Sequence, residues 1–282
     1  MRTIANETRD EERAYYGQRE LIAENITIAG PADGESAFKE CRDLTVRRSA
    51  FSLRYPFWHN IGLTLENCAF DSGVRAALWY TKDLSMDDMR VEGIKCLREC
   101  SAVRARDSVF QSDEFGWNCR RLDFDCCVFT SSYFLMNSSD IRLKNCRLEG
   151  KYSFQYTRDV VIEGGELDTK DAFWHAKNVT VRNCTVRGEY LAWYSENLTF
   201  ENCRIIGTQP FCYCKGLKLV HCTMENTDLA FEYSEVEADV TGEILSVKNP
   251  SAGRIVADGY GEIILRDAVR PTDCVIETRG QS

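Results

Sequence analysis

The amino-acid sequence predicts an all-β fold, a parallel β-helix of about twelve coils with about 19 residues in each coil. Three observations support this prediction: apolar pairs recur at a nearly constant spacing, a Cys-rich inward column follows the pairs, and charges alternate in sign along one outward column. We expect a single domain over residues 1–282, with an N-terminal segment at 1–11, regular coils at 12–240, and an irregular C-terminal coil and tail at 241–282.

The first strand of each coil carries two apolar residues around one polar residue, as in Leu63-Thr64-Leu65. This alternation is typical of a strand that buries one face. Successive pairs lie 19 residues apart except for one interval of 21, and a weaker match at Leu21/Ala23 adds an N-terminal coil. The pairs are Leu44/Val46, Leu63/Leu65, Leu84/Met86, Val103/Ala105, Leu122/Phe124, Ile141/Leu143, Val160/Ile162, Val179/Val181, Leu198/Phe200, Leu217/Leu219 and Val236/Ala238.

A second short strand follows after two turn residues, and its first inward position usually holds Cys or Ser. Corner residues such as Asn67 and Asn183 tolerate the left-handed backbone that a sharp corner needs. The 14 cysteines lack the Cys-x-x-Cys pairs of a zinc ribbon, so we interpret them as buried, reduced thiols. We therefore expect no metal site and no cofactor. The cysteines of this column are Cys68, Cys127, Cys146, Cys184, Cys203 and Cys222.

An outward column supports the same register through its charges. Stacked parallel strands place equivalent side chains about 4.8 Å apart, so opposite charges at this spacing attract. Seven of the eight neighbouring pairs in the column carry opposite charge, and the like-charged step coincides with the interval of 21 residues. The column is Arg47, Glu66, Asp87, Arg106, Asp125, Lys144, Glu163, Arg182 and Glu201.

The overall composition limits the classes of partner. A net charge of −9 at pH 7 disfavours nucleic acid, because phosphate backbones are held largely by Lys and Arg. The apolar runs are shorter than the ~20 residues that cross a bilayer, and the N-terminal residues show no secretory signal. We therefore expect a soluble, cytoplasmic protein with no membrane partner.

A third strand is predicted before each apolar pair, and it contains all five tryptophans in one column. From Trp79 onward the residue two positions later in the column is small, as Ala176 is after Trp174. We expect it to point inward by analogy with the corner after the first strand, where two turn residues separate inward positions. Strand alternation then places the Trp column inside and the adjacent Phe and Leu column outside. If the alternation is reversed, the Trp column faces solvent instead. The tryptophans are Trp58, Trp79, Trp117, Trp174 and Trp193.

Motifs such as Glu66-Asn67-Cys68 and Glu201-Asn202-Cys203, each after an apolar pair, resemble the pectin-lyase-like superfamily of right-handed parallel β-helices. More narrowly, nearly the whole chain resembles an uncharacterised bacterial β-helix family, a domain of unknown function. The resemblance implies a single-stranded right-handed β-helix and transfers no activity, catalytic residue or cofactor. It rests on Ala76-Ala77-Leu78-Trp79-Tyr80-Thr81, Lys170-Asp171-Ala172-Phe173-Trp174, Gly188-Glu189-Tyr190-Leu191-Ala192-Trp193 and Leu229-Ala230-Phe231-Glu232-Tyr233-Ser234.

The aromatic third strand is the candidate ligand face, since large exposed aromatic patches normally mark a groove or an interface. Asp171 and His175 lie on one strand, with Tyr156 and Tyr194 above and below, and form a candidate acid/base cluster. The candidate ligand-binding residues are Tyr152, Phe154, Tyr156, Phe173, Trp174, Tyr190, Trp193, Tyr194, Phe211 and Tyr213.

Three functions are compatible with this face. The leading hypothesis is a non-enzymatic scaffold that binds an extended carbohydrate-like ligand or a partner, because aromatic rings cover sugar faces while Tyr and His donate hydrogen bonds. The first alternative is a polysaccharide hydrolase or lyase. The second is a structural homo-oligomer that needs no ligand.

Overall fold

The structure is a computed structural model that describes residues 2–32 and 34–280. The chain forms two compact units, unit 1 over residues 1–142 and unit 2 over residues 143–282. Each unit is built from parallel β-strands. None of the described residues belongs to a helix long and apolar enough to cross a membrane.

Unit 1 alternates long and short strands along the chain. Leu44 of one coil lies beside Leu63 of the next, which is the 19-residue register that the apolar pairs predict. The strands are β1 (Arg2–Ala5), β2 (Thr8–Arg9), β3 (Arg19–Glu24), β4 (Thr27–Ile28), β5 (Arg42–Arg47), β6 (Ala50–Phe51), β7 (Ile61–Glu66), β8 (Ala69–Phe70), β9 (Lys82–Asp87), β10 (Arg90–Val91), β11 (Ser101–Arg106), β12 (Val109–Gln111), β13 (Arg120–Asp125) and β14 (Val128–Ser132). Strand β15 (Ser139–Lys151) carries the chain into unit 2.

Unit 2 repeats the same pattern, with Val160 beside Val179 and Val179 beside Leu198. Its strands are β16 (Arg158–Lys170), β17 (Lys177–Arg182), β18 (Thr185–Arg187), β19 (Glu196–Glu201), β20 (Arg204–Ile206), β21 (Leu217–Glu225), β22 (Glu235–Thr241), β23 (Glu243–Lys248), β24 (Ala252–Ala257), β25 (Gly259–Ile264) and β26 (Val275–Thr278). Strands β23 and β25 form a separate two-stranded sheet.

The fold is a parallel β-solenoid of about 15 turns, so the prediction of about twelve coils was too low. The additional strands lie where the apolar pairs fade, in the predicted N-terminal segment and in the predicted irregular C-terminal region. Strand β1 contributes only Ile4 to the core, and β24 and β26 depart from the 19-residue spacing. A search for regular apolar pairs misses such coils because the backbone can continue stacking without them.

The predicted inward residues form the core of each unit. Leu44 and Val46 in β5 are 1% and 0% exposed, and the polar residue between them is only half-buried. Two of the predicted outward pairs form ion pairs, with 2.6 Å between Arg47 Nε and Glu66 Oε2 and 2.9 Å between Arg182 Nε and Glu201 Oε2. These exposed pairs contribute about 0.2–1 kcal/mol each, so they favour the register more than they stabilise the fold.

Candidate functional site

The segment that the sequence predicts as a third strand is a turn segment with an unusual backbone. Asp171, Phe173 and His175 have φ angles of 55°, 61° and 56°, while Ala172 and Trp174 between them do not adopt positive φ. Left-handed backbone in a non-glycine residue costs roughly 1–2 kcal/mol. The assignment of a strand was therefore wrong here, and simple alternation of side chains does not apply.

The coils on either side hold this backbone through hydrogen bonds. The Asp171 and His175 N–H groups donate to Glu189 O and Trp193 O of the following coil, at 2.9 and 3.0 Å. The Phe173 N–H donates at 2.8 Å to Ser153 O of the preceding coil. Each such bond contributes about 0.5–1.5 kcal/mol, so stacking of coils offsets much of the backbone cost.

The Phe column lies inside, which reverses the predicted orientation of the two columns. Phe154, Phe173 and Phe211 are each 0% exposed, so the prediction that they face solvent and contact a ligand was wrong. Phe154 and Phe173 stack with ring centroids 4.8 Å apart. The prediction failed because left-handed residues rotate their side chains away from the positions that an extended strand would give them.

The Trp column is half-buried along the side of the segment. Trp174 and Trp193 stack with centroids 5.4 Å apart and planes within 4°. Their indole N–H groups donate to Tyr190 O and Gln209 O in the following coils, at 2.7 and 2.8 Å. The indole donors therefore satisfy backbone carbonyls, and only the outer ring edges are open to a ligand.

Five rings of unit 2 form one continuous row, which we call the tyrosine–histidine ladder: Tyr156, His175, Tyr194, Tyr213 and Tyr233. Successive centroids are 5.0, 5.2, 4.7 and 5.9 Å apart. The first four rings are parallel to within 10°. The position of His175 between Tyr156 and Tyr194 agrees with the prediction from the 19-residue spacing.

The outer edge of the ladder is accessible and polar. Tyr156 and Tyr194 are 54% and 44% exposed, and His175 is exposed as well. Tyr213 is half-buried, and desolvation raises the pKa of its phenol. Within the described part of the chain, the hydroxyl groups of Tyr156, Tyr194 and Tyr213 make no hydrogen bond, so they are open to a ligand.

Tyr152 and Tyr190 lie at the other end of the turn segment and are half-buried. Lys151 Nζ lies 5.6 Å from the Tyr152 ring centroid, and Lys170 Nζ lies 5.1 Å from that of Tyr190. Tyr190 also meets Trp193 edge to face at 5.5 Å. These two tyrosines thus border the aromatic face beside a row of cations.

Asp171 and His175 occupy opposite ends of their segment, and no hydrogen bond between them occurs among the described residues. Asp171 is 6% exposed, and its burial raises the pKa of its carboxyl group. Its charged neighbours are Lys170 and Glu189, whose Nζ and Oε2 atoms are 2.8 Å apart. The carboxylate that neighbours Asp171 is therefore that of Glu189, a residue that the sequence analysis missed.

Tyr233 is a second residue that the sequence analysis missed. Steps of 19 residues from Trp193 lead through Cys212 to Phe231 as the next position of the Trp column, but Phe231 stacks on Phe211 at 5.9 Å and is fully buried. One extra residue lies between these coils, and it moves Tyr233 into the ladder. The repeated Phe-x-Tyr pattern at Phe211–Tyr213 and Phe231–Tyr233 was the available signal.

Over residues 2–32 and 34–280, no group of three or more His, Cys, Asp and Glu side chains is arranged to hold a metal ion. The cysteines of the second strand are buried, and Cys203 Sγ donates to Val181 O at 3.4 Å. Burial raises the pKa of Cys68 to about 11. These thiols pack in the core as predicted.

Comparison with known proteins finds one matching family and several structures with a similar fold. Residues 2–277 match the family described as "Protein of unknown function (DUF3737)". No curated protein matches the sequence. Among solved structures, PfbA, a surface adhesin of Streptococcus pneumoniae, is similar with a TM-score of 0.51 and 10% identity, over 89% of this chain and 84% of PfbA.

Two further structures are similar over most of the chain. The A-module of the mannuronan C-5 epimerase AlgE4 of Azotobacter vinelandii has a TM-score of 0.41 and 10% identity, over 98% of this chain and 91% of its own. The catalytic domain of a GH87 α-1,3-glucanase has a TM-score of 0.36 and 12% identity, over 99% of this chain and 63% of its own. At this low identity, structural likeness is evidence for the fold alone.

Proposed function

This chain belongs to the family of proteins of unknown function DUF3737, and from that premise we propose that it is a binding protein whose tyrosine–histidine ladder holds an extended carbohydrate. The observation that carries the proposal is a row of open polar groups that repeats once per coil, formed by the imidazole of His175 and the phenols of Tyr156, Tyr194 and Tyr213; the Tyr233 hydroxyl at the end of the row accepts a hydrogen bond from the Val269 N–H. A chain of hydroxylated units that runs along this row meets an equivalent hydrogen-bonding group at each step.

The contacts differ from those of a pocket that stacks sugars on open aromatic faces. The faces of His175 and Tyr194 are covered by the neighbouring rings, which leaves ring edges and hydroxyl groups toward solvent. Ring edges carry partial positive charge and favour contact with sugar oxygens. Because the rings support each other, little side-chain entropy is lost when a ligand binds.

The similar protein PfbA supports a binding role. It is described as a surface adhesin, so a β-helix of this kind serves adhesion in that protein. The ladder also shows features of an interaction surface, since it is exposed, aromatic and polar at its edge.

Retention on a panel of immobilised polysaccharides tests the proposal. We expect the wild-type protein to bind at least one extended glycan and Tyr194→Ala or Tyr213→Ala to weaken binding about tenfold or more. Tyr133→Ala is the matched control, because Tyr133 is an exposed tyrosine in unit 1, outside the ladder. Absence of binding to every glycan would contradict the proposal, as would equal losses in Tyr133→Ala. A dimer that the ladder substitutions dissociate would assign this face to self-association instead.

A second candidate function, glycoside hydrolysis, is favoured by the pair formed by Asp171 and Glu189. Burial raises the pKa of Asp171, and Lys170 contacts Glu189, so the two carboxyl groups lie in different environments. Such a difference is typical of an acid and a base in glycosidases. Asp171 would protonate the leaving glycosidic oxygen while water, deprotonated by Glu189, bonds to the sugar carbon.

Measurement of reducing ends separates this activity from binding alone. If the chain is a hydrolase, Asp171→Asn and Glu189→Gln should each abolish the release of reducing ends while the protein still binds the glycan. Glu166→Gln is the control, because Glu166 is an exposed carboxylate in another part of the coil. A protein that binds a glycan without releasing reducing ends is a binding protein only.

A further inference from the structure

A shallow cavity of about 430 Å³ opens in unit 1, which we call the unit 1 cavity. It is lined by Gly17, Arg19, Glu40, Arg42 and His59. Each of the two arginines opens a long strand, Arg19 in β3 and Arg42 in β5. The other three residues lie at the corners that precede these strands and β7. Gly17 has no other atom within 4 Å of the position that a Cβ would take, so this wall of the cavity is open.

The two arginines are direct neighbours in the sheet. Arg19 pairs with Arg42 in register, which places their Cα atoms about 4.8 Å apart. Like charges at directly opposed positions destabilise a sheet by a few tenths of a kcal/mol or more. An anion between the two guanidinium groups would convert this repulsion into attraction.

Both guanidinium groups lack a carboxylate partner within 4.0 Å among the described residues. Elsewhere on the coils, cations such as Lys170 and Lys177 contact an acid of the following coil. The nearby Asp43 carboxylate is directed at the next coil, where its Oδ1 lies 2.8 Å from the position of a Cβ on Gly62.

Two other groups complete the unit 1 cavity. The His59 ring stacks on Tyr80 at 4.6 Å, which fixes the orientation of the imidazole. The Glu40 carboxylate accepts a hydrogen bond of 2.7 Å from the Tyr16 hydroxyl group. The cavity therefore presents two guanidinium groups, one imidazole and one oriented acceptor.

We propose that the unit 1 cavity binds the phosphate group of a hydroxylated phosphate monoester, such as a sugar phosphate. Arg19 and Arg42 contact separate phosphate oxygens, and His59 contacts a third. A tetrahedral oxyanion with three terminal oxygens can use all three groups, whereas a carboxylate with two oxygens is already satisfied by one bidentate arginine. Glu40 accepts a hydrogen bond from a carbon-bound hydroxyl group of the ester, a group that inorganic phosphate does not have.

This site is independent of the tyrosine–histidine ladder, because all five lining residues lie in unit 1. Failure of either proposal therefore leaves the other unaffected. The affinity should depend strongly on ionic strength, since the arginines are exposed and salt screens charges at the surface.

Isothermal titration calorimetry at low ionic strength tests the site, with glucose 6-phosphate, inorganic phosphate and galacturonate as probes. We expect glucose 6-phosphate to bind most tightly. Arg19→Gln and Arg42→Gln should each weaken its binding about tenfold. Glu40→Ala, which removes the acceptor, should remove most of the preference for the ester over inorganic phosphate.

Arg158→Gln is the matched control, because Arg158 opens β16 at the equivalent place in a coil of unit 2 and lies outside the unit 1 cavity. Its binding of glucose 6-phosphate should equal that of the wild type. Equal weakening by Arg158→Gln and Arg42→Gln would indicate non-specific attraction and overturn the proposal. Tighter binding of galacturonate than of glucose 6-phosphate, or no binding of any probe, would overturn it as well.

Discussion

Individual residues of the turn segment adopt backbone conformations that most side chains avoid. Every member of the tyrosine–histidine ladder has φ between 52° and 61°, and each of their N–H groups donates to the following coil. Bulky aromatic residues are unusual at such angles. Here the contacts between neighbouring rings of the ladder and the hydrogen bond to the next coil maintain the conformation together.

The buried position of Phe173 leads to a stability prediction. Phe173→Ala should lower the free energy of unfolding by about 3–5 kcal/mol, because it removes a fully buried ring that stacks on Phe154 and leaves a cavity. Tyr156→Ala, at a 54% exposed ring, should cost much less. Urea unfolding monitored by circular dichroism compares the two variants. Similar losses would contradict the assignment of the Phe column to the core.

Asp171 predicts a pH dependence of stability. Burial raises the pKa of its carboxyl group in the folded state. At pH values between the ordinary pKa and the raised pKa, the folded protein therefore keeps a proton that the unfolded chain has released. The protonated form favours folding, and this contribution is lost as pH rises from the ordinary value through the raised pKa. The Tm of Asp171→Asn minus the Tm of the wild type should therefore become more positive from pH 3.5 to pH 7, because only the wild type acquires a buried charge.

The exposed residue Asp168 offers the control for this measurement. Asp168→Asn removes a carboxylate at the surface and should change Tm by a similar small amount at both pH values. A Tm difference for Asp171→Asn that falls between pH 3.5 and pH 7 would contradict the proposed origin of the shift.

The turn segments depend on small buried residues that the sequence analysis placed inside. Ser195 Oγ donates to Phe173 O at 2.5 Å, and Cys214 Sγ donates to Ala192 O at 3.0 Å, each from the following coil. Buried carbonyls without such partners are costly. Residues of the Ser, Thr and Cys column therefore form hydrogen bonds to buried carbonyls as well as filling space.

One position in this column departs from the pattern and shows how the chain compensates. Ala176 stands where a hydroxyl group would donate to Phe154 O. Thr157 Oγ1, three residues after Phe154, donates to that carbonyl instead at 2.7 Å. The carbonyl of Phe154 therefore keeps a side-chain donor, although the donor comes from its own coil.

This exchange predicts a compensating pair of substitutions. Thr157→Val should lower the free energy of unfolding by about 1–2 kcal/mol, because it removes the 2.7 Å hydrogen bond from Thr157 Oγ1 to the buried Phe154 carbonyl. Adding Ala176→Ser should restore part of the loss, since serine supplies the missing donor from the following coil. Thr157→Ser retains the hydroxyl group and serves as control. Additive losses in the double variant would contradict the exchange of donors.

Across the described residues, the reactivity of the thiols shows whether the core is closed to solvent. Twelve of the 14 cysteines are buried, Cys126 is exposed, and Cys274 is intermediate. Burial raises the pKa of Cys41 to about 11 and that of Cys274 to about 11. Little thiolate is present at neutral pH in such groups, and the thiolate is the reactive form.

Alkylation with iodoacetamide, followed by peptide mass spectrometry, tests this distribution of thiols. In the native protein Cys126 should react first and Cys274 more slowly, while the buried cysteines should react only after unfolding in guanidinium chloride. The Cys126→Ser variant should lack the fast phase. Fast labelling of Cys203 in native protein would show that the second-strand column opens in solution.

Much of the fold follows from the 19-residue spacing, because parallel stacking places equivalent residues of successive coils beside each other. That rule correctly predicted the core pairs, the contact of Arg47 with Glu66 and the position of His175 between two tyrosines. It failed where the period changes, at the terminal coils and at the extra residue before Phe231. A constant period cannot predict where a turn contains one additional residue.

The sequence was sufficient to establish the coil repeat, the buried faces of the long strands and the neighbours within each column, because these depend on spacing and hydrophobicity. It was insufficient to orient the third segment. Phe173 points inward because three residues of its segment have left-handed backbone, and that backbone is stable only with hydrogen bonds to the coils on both sides. Such bonds form only once the coils are stacked, so which rings face solvent depends on the tertiary structure.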